Sequence, residues 1–292
     1  MTQTSSPTVW RRWLAHELRR LRQQAGLSQA DVARAINCHV PKISLIESTE
    51  RNVQETDLQK MLTLLKVPED KQSVYFDAVR NARKKGWWEI YSEHTIPQWI
   101  ELFIGLEQGA ERLRSYQTAI FHGLLQTPEY AAAILRSGMA EAWSEEKVAR
   151  SVELRTRRQE AIWRETDPLH VSAVVDEAAL RHVVGGRDTM QAQLEHVVDL
   201  VEKNEQVTVQ VIPFDRGAAL EANYGPFTIL SFPSVTDPGV TYIEYRSGAV
   251  FLESIPEVDQ HSIIFQQLQS LALPPDESMT KLSRTAKEYR NG

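Results

Sequence analysis

The chain has 292 residues, 42% of them hydrophobic, with only 13 Gly, 13 Pro and one Cys; this supports a sizeable buried core and excludes collagen-like and disordered classes. Cys38 has no disulfide partner within the chain, and the eight His form no run with it at metal-ligand spacing, so neither a structural metal nor a cofactor is expected. The formal net charge is −6, and no window reaches the roughly 18 uncharged apolar residues of a membrane span. The opening MTQTSSPT lacks the basic-then-apolar pattern of a secretory signal, so the expected location is the cytoplasm, away from membranes.

The charge is unevenly divided. Residues 1–85 hold 15 Lys and Arg, among them Arg11, Arg19, Arg20, Lys84 and Lys85, against 9 Asp and Glu, whereas the remainder holds 18 against 30. A basic head on an acidic body is the arrangement expected where only the head approaches phosphates. A merely solvated helix surface would give the same count.

In chain order, residues 1–9 read as a disordered or extended arm. Residues 10–85 read as five short helices forming an all-α head. Leu14, Leu18 and Leu21 recur on one helical face, and Gly26 sits where a positive φ would end the first helix. Ser28 with Asp31 three residues on has a capping-box pattern opening a second helix that carries Val32, Ala33 and Ile36. Asn37-Cys38-His39 is a tight corner, followed by a third helix over about 40–48 in which Pro41 is tolerated in the first turn. Leu58, Met61, Leu62 and Leu65 mark a fourth helix. Pro68 opens a fifth with Val74, Ala78, Val79 and Ala82.

Residues 86–98 read as a junction, punctuated by Gly86 and Pro97, with Trp87 and Trp88 as packing anchors between head and body. Residues 99–292 read as an α+β body. Its first part, to residue 165, is expected to be helical, ending in an Arg-rich stretch whose interleaved Glu residues suggest a solvated or salt-bridged face. Five strands are expected near 170–175, 207–214, 226–232, 240–246 and 249–253. Ser247-Gly248 suggests a hairpin, hence a mainly antiparallel sheet with flanking helices.

The segment LRRLRQQAGLSQADVARAINCHVPKISLIES, residues 18–48, carries the chemistry: two short helices set at a steep angle, the second able to enter a major groove. Through Arg22, Gly26, Leu27, Ser28, Gln29, Val32, Ala33, Ile43, Ile46 and Glu47 it resembles, without gaps, the lambda-repressor-like (Xre-type) helix-turn-helix family of transcriptional regulators. That resemblance implies double-stranded DNA as partner and an internal ion pair between Arg22 and Glu47. Ser28 and Gln29 open the second helix, where free N–H groups and the positive dipole end favour a phosphate. Lys42, Ser44 and Arg51 are candidates for phosphate or base-edge contact, with His39 beside them. The chain departs from the family at Val40, Pro41 and Leu45: these base-reading positions cannot hydrogen-bond a base edge, although apolar groups can meet thymine methyls and DNA shape can supply specificity. A degenerate helix-turn-helix serving as a protein-interaction module is the alternative.

The body, through residues 103–135, 174–186, 207–217 and 225–233, is similar to an uncharacterised C-terminal domain that follows such heads in high-GC Gram-positive bacteria. The resemblance implies an antitoxin-like regulator, encoded beside a small partner protein. No catalytic residue is expected. Asp176-Glu177, His182, His196, Asp215-Arg216 and Gly185-Gly186 match no enzyme motif; Asp176 reads as a helix cap and the glycine pair as a turn. The body is expected to bind either a small ligand, with Tyr242, Tyr245, Phe251 and Trp163 as guesses at the lining, or a small partner protein. One recognition helix per chain reads too few bases, so a homodimer is expected.

Overall fold

The computed structural model describes residues 6–91, 96–137, 143–216, 224–234 and 237–291. By contacts the chain divides into two compact units: Met1–Glu89 with Pro233–Asp237, and Ile90–Phe232 with Pro238–Gly292.

The first unit is all helix: α1 (Pro7–Gln24), α2 (Gln29–Ile36), α3 (Val40–Glu47), α4 (Glu55–Leu64) and α5 (Glu69–Ala82). Leu18, Val32, Ile43, Leu58, Met61, Leu62 and Ala78 form its sealed centre. The expected arm is shorter than read, because α1 begins at Pro7, a residue suited to a first helical turn, and buries Val9 and Trp10. Trp10 meets Trp13 edge to face at 6.0 Å. Residues 1–5 of that arm, and 92–95 of the expected junction, lie outside the described residues. The rest of the junction is not a plain linker: a short 3-10 turn spans Trp87–Tyr91, and Trp88 is buried with Trp87 against it at 5.9 Å.

A piece of chain from far downstream completes this unit. Arg12, buried on α1, donates through Nε and Nη2 to both carboxylate oxygens of Asp237, at 2.9 and 3.0 Å. Both side chains are under 5% exposed. An interior guanidinium of this kind is tolerable only with a carboxylate of matching geometry.

The second unit is α+β. Its elements are α6 (Gln98–Glu107), β1 (Arg112–Gln117), α7 (Pro128–Ser137), α8 (Glu145–Arg158), β2 (His170–Asp176), the single turn α9 (Ala178–Arg181), α10 (Arg187–Lys203), β3 (Val207–Ile212), β4 (Phe227–Ser231), β5 (Val240–Tyr245), β6 (Gly248–Leu252), α11 (Ile255–Leu271) and α12 (Pro275–Asn291). The strands form one sheet in the order β3-β2-β1-β4-β5-β6. Three of its pairings are antiparallel, while β1–β2 and β2–β3 are parallel. The parallel pairs follow from the long helical connections after β1 and β2, since a parallel partner cannot be reached by a hairpin.

β1 corrects the expectation of an all-helical stretch from 99 to 165. It lies between β2 and β4, with Tyr116 opposite Val174 and Phe227. The β5–β6 hairpin turns through Arg246-Ser247, one residue earlier than read, with Tyr245 opposite Gly248. On one face of the sheet Tyr116, Val174, Ile212 and Ile229 pack under Val258, Ile264, Phe265 and Leu268 of α11. Among the described residues, no helix is long and apolar enough to cross a membrane.

Candidate functional site

In the first unit, local chemistry aims α3 outward. Gly26 has φ +68, which lets the chain leave α1 in a conformation that strains any side chain. Ser28 then caps α2 reciprocally with Asp31: the Asp31 N–H donates to Ser28 Oγ at 3.1 Å, and Asp31 Oδ2 accepts from the Ser28 N–H and hydroxyl at 2.9 and 2.6 Å. These bonds hold the Asp31 carboxyl below its ordinary range. Asn37, left-handed at φ 59, ends α2 and turns the chain into α3. Ile43 and Ile46 bury one side of α3. His39, Val40, Pro41 and Ser44 form its exposed outer side, Val40 being 41% exposed.

The three helices meet at one carboxylate. Arg22 at the end of α1 donates through Nε and Nη2 to Glu47 Oε1 and Oε2 at 2.7 and 2.8 Å, and through Nη1 to the Leu27 carbonyl at 2.8 Å. Gln29 Nε2 at the start of α2 donates to Glu47 Oε2 at 3.0 Å. Hydrogen bonding to Glu47 raises the Arg22 pKa. Gln29, expected to offer its amide to a phosphate, therefore spends it inside the protein.

Lys42 is also placed differently from its expected role. Its Nζ lies 2.6 Å from Asp57 Oδ2 on α4, so much of its charge is answered within the unit. Leu45 is half-buried, whereas Ser28 and Arg51 are exposed. Among the described residues no carboxylate pairs with Arg51, which follows the turn after α3 and lies near Arg11, Ile46 and Val79. The exposed outer side of α3 thus combines an apolar tip, Val40 and Pro41, with His39 and Ser44.

The body contains a second constellation, a cavity of about 440 Å³ beyond the C-terminal end of β1, where the sheet changes from parallel to antiparallel. Phe103 of α6 stacks on Tyr242 of β5 at 4.2 Å. Arg155 and Arg158 of α8, His122, Thr228 and Glu244 also line it. Arg158 donates to both oxygens of Glu107 at 2.7 and 2.8 Å. Arg155 donates to the amide oxygen of Gln126. Burial, then the charges of Arg158 and Arg155, push His122 down to about 3 from its ordinary 6.5. Its Nδ1 accepts the Leu124 N–H at 3.3 Å, so the neutral ring carries its proton on Nε2.

Residues 13–73 match a helix-turn-helix domain, and residues 100–284 match a domain of unknown function, DUF5753. The chain belongs to the DUF5753 family. No curated protein and no solved structure matches the chain. The helix-turn-helix match contains the Arg22–Glu47–Gln29 cluster and all of α3, and makes the head a DNA-binding domain of the type carried by regulators. The cavity lining, from Ile100 to Glu244, falls entirely within the DUF5753 match.

Of the four guessed lining residues in the DUF5753 body, Tyr242 faces the cavity and Phe251 packs against it at 5.1 Å. Tyr245 and Trp163 are exposed. The expectation of a solvated or salt-bridged face on α8 holds in part, since Arg158 pairs with Glu107 and Arg150 with Glu146, but it did not place Arg155 and Arg158 on a cavity wall. Their signal was spacing, because Val148, Ser151, Leu154 and Arg158 lie on the buried side of that helix. Asp176 accepts the Ala178 N–H, and Gly185 and Gly186 turn the chain at φ 71 and 98. Among the described residues no cluster of His, Cys, Asp and Glu is able to hold a metal ion.

Two predictions follow from this geometry. Glu47 is buried more deeply than Arg22, so Arg22→Ala strands a carboxylate and is expected to cost the head about 3 kcal/mol, against about 2 kcal/mol for Glu47→Ala. Urea unfolding measures both, and changes under about 0.5 kcal/mol, the range of a surface pair, would contradict the clamp. His122 stays neutral in the fold while an unfolded chain protonates it below 6.5. It therefore contributes stability that is present above pH 6.5 and is lost as pH falls toward 3, with a slope of up to about 1.4 kcal/mol per pH unit. His122→Gln is expected to flatten the acid limb of stability against pH by that amount; an unchanged limb refutes it.

Proposed function

We propose that the protein is a sequence-specific transcriptional regulator of the Xre type, acting as a homodimer on two half-sites of duplex DNA, with a body that binds a small effector. The observation that carries this is the outward face of α3, exposed along His39, Val40, Pro41 and Ser44 while its far end is locked by Glu47. The surplus of positive charge in residues 1–85 supplies the sequence-independent part of affinity. The apolar tip suits thymine methyl groups, and the remaining specificity comes from DNA shape and from pairing two half-sites.

The body in this reading binds and does not catalyse. Arg158 and Glu107 are spent on each other, and His122 is held neutral with Nδ1 on a backbone N–H.

A second reading, an antitoxin-like body that docks a small partner protein, is favoured by an open groove of about 720 Å³ between α7 and α8. Ala132, Ala133, Val148 and Val152 line its floor. Small residues there allow a helix to approach closely.

Selection of bound sites from random duplex DNA by the full chain tests the first reading. An inverted repeat with half-sites about 10 base pairs apart, or a multiple of that, is expected; no enrichment transfers the weight to the protein-docking reading. On the selected site, Arg51→Ala is expected to lower the salt slope by about 1, whereas Lys42→Ala, already answered by Asp57, changes it less. Equal slopes for the two variants contradict the placement of Arg51.

A further inference from the structure

Arg155 and Arg158 stand nearly one turn apart on α8 and both reach the body's cavity. Glu107 answers Arg158 through two short bonds. Arg155 has only the neutral amide oxygen of Gln126, and among the described residues no carboxylate forms an ion pair with it. Burial first, and then the like charge of Arg158, push its guanidinium down to about 10. Glu244 and Glu107 oppose that shift at longer range without closing on it. A half-buried cation beside another cation is costly unless an anion joins it.

The remaining walls are mostly apolar. Phe103 and Tyr242, stacked on each other, form an aromatic wall together with Ile120, Phe121 and Phe227. His122 Nε2–H adds a neutral donor. The volume of about 440 Å³ falls within the roughly 300–1,000 Å³ of small-molecule sites, which pair apolar walls with a few placed polar groups.

We propose that this cavity binds a small aromatic monoanion, a carboxylate or sulfonate, whose charged group pairs with Arg155 while its ring lies against Phe103 and Tyr242. The match is to a single negative charge, since Arg155, unlike Arg158, has no carboxylate pair among the described residues and Glu244 repels a second anionic group. Phosphate monoesters, carrying close to two charges at neutral pH, are disfavoured for that reason. The role of this ligand as an effector rests on the regulator reading above; its binding does not.

The test uses the full chain and anilinonaphthalene sulfonate, a fluorescent aromatic monoanion, with phenylbutyrate and its uncharged amide as competitors. Saturable binding at one site per chain is expected, with displacement by phenylbutyrate and at least about tenfold weaker displacement by the amide. Arg155→Gln is expected to weaken the probe by about 10–100-fold, and Arg155→Lys to restore most of the loss. Equal competition by acid and amide, an unchanged affinity in Arg155→Gln, or no saturable binding overturns the proposal. Should Arg155→Gln fail to fold, as read by circular dichroism, the contrast between acid and amide on the unaltered chain still decides. DNA binding is measured separately without ligand. A chain that holds the probe and ignores DNA removes the regulator reading and leaves the site; one that binds DNA without holding the probe removes the site alone.

Discussion

Three helices of the head depend on one carboxylate. Glu47 closes α3, a helix of only 8 residues, far below the roughly 12–15 at which an isolated helix holds itself together in water. A negative charge in a last helical turn opposes the helix dipole, so Glu47 belongs there only because Arg22 answers it and Gln29 joins it. The same contacts fix the end of α1 and the start of α2. Burial of Ile43 and Ile46 sets the depth of α3, and the carboxylate cluster sets its angle. The outer residues are left to solvent as a consequence, which is what a groove-reading helix requires.

The body repeats the device with a different result. Glu107, fully buried at the end of α6, binds the Arg158 guanidinium in a bidentate pair that ties α6 to α8. Around that pair the packing leaves a cavity, with a second arginine and a stacked aromatic pair among its walls. Rigidity and an unfilled polar requirement thus come from the same helix. The strands that supply Thr228 and Tyr242 are joined by a connection whose Pro233–Asp237 segment belongs with the head unit, held by Arg12.

What the sequence made legible was mostly local. Ser28 with Asp31, the glycine at 26 and the corner at Asn37 act within a few residues, and each appears in the structure with the geometry its residue type demands. β2 to β5 were equally plain, because they are rich in β-branched and aromatic residues, most of which are buried. β1 was not legible: RLRSYQ has two arginines and no β-branched residue, and it is a strand because β2 and β4 supply partners on both edges. Lys42 and Gln29 were read as outward-reaching for a related reason. Their composition fits a phosphate contact, but Asp57 and Glu47, distant in sequence, lie within 3.0 Å of them. Arg155 and Arg158 read as part of a solvated or salt-bridged face; the pairing was right for Arg158, but their position on a cavity wall depends on how the fold turns α8. Neither the capture of Pro233–Asp237 by the head nor the early start of α1 follows from a periodic pattern.

The central claim is that the outer side of α3 is the surface that meets DNA. Amide hydrogen exchange read by mass spectrometry, on the full chain with and without the selected duplex, tests it most directly. The account predicts slowed exchange confined to the start of α2, the turn at Asn37, α3 and the turn through Arg51, with the α7 and α8 segments unchanged. Slowed exchange in α7 and α8 with none in α3, or no change anywhere in the head at saturating duplex, would contradict it.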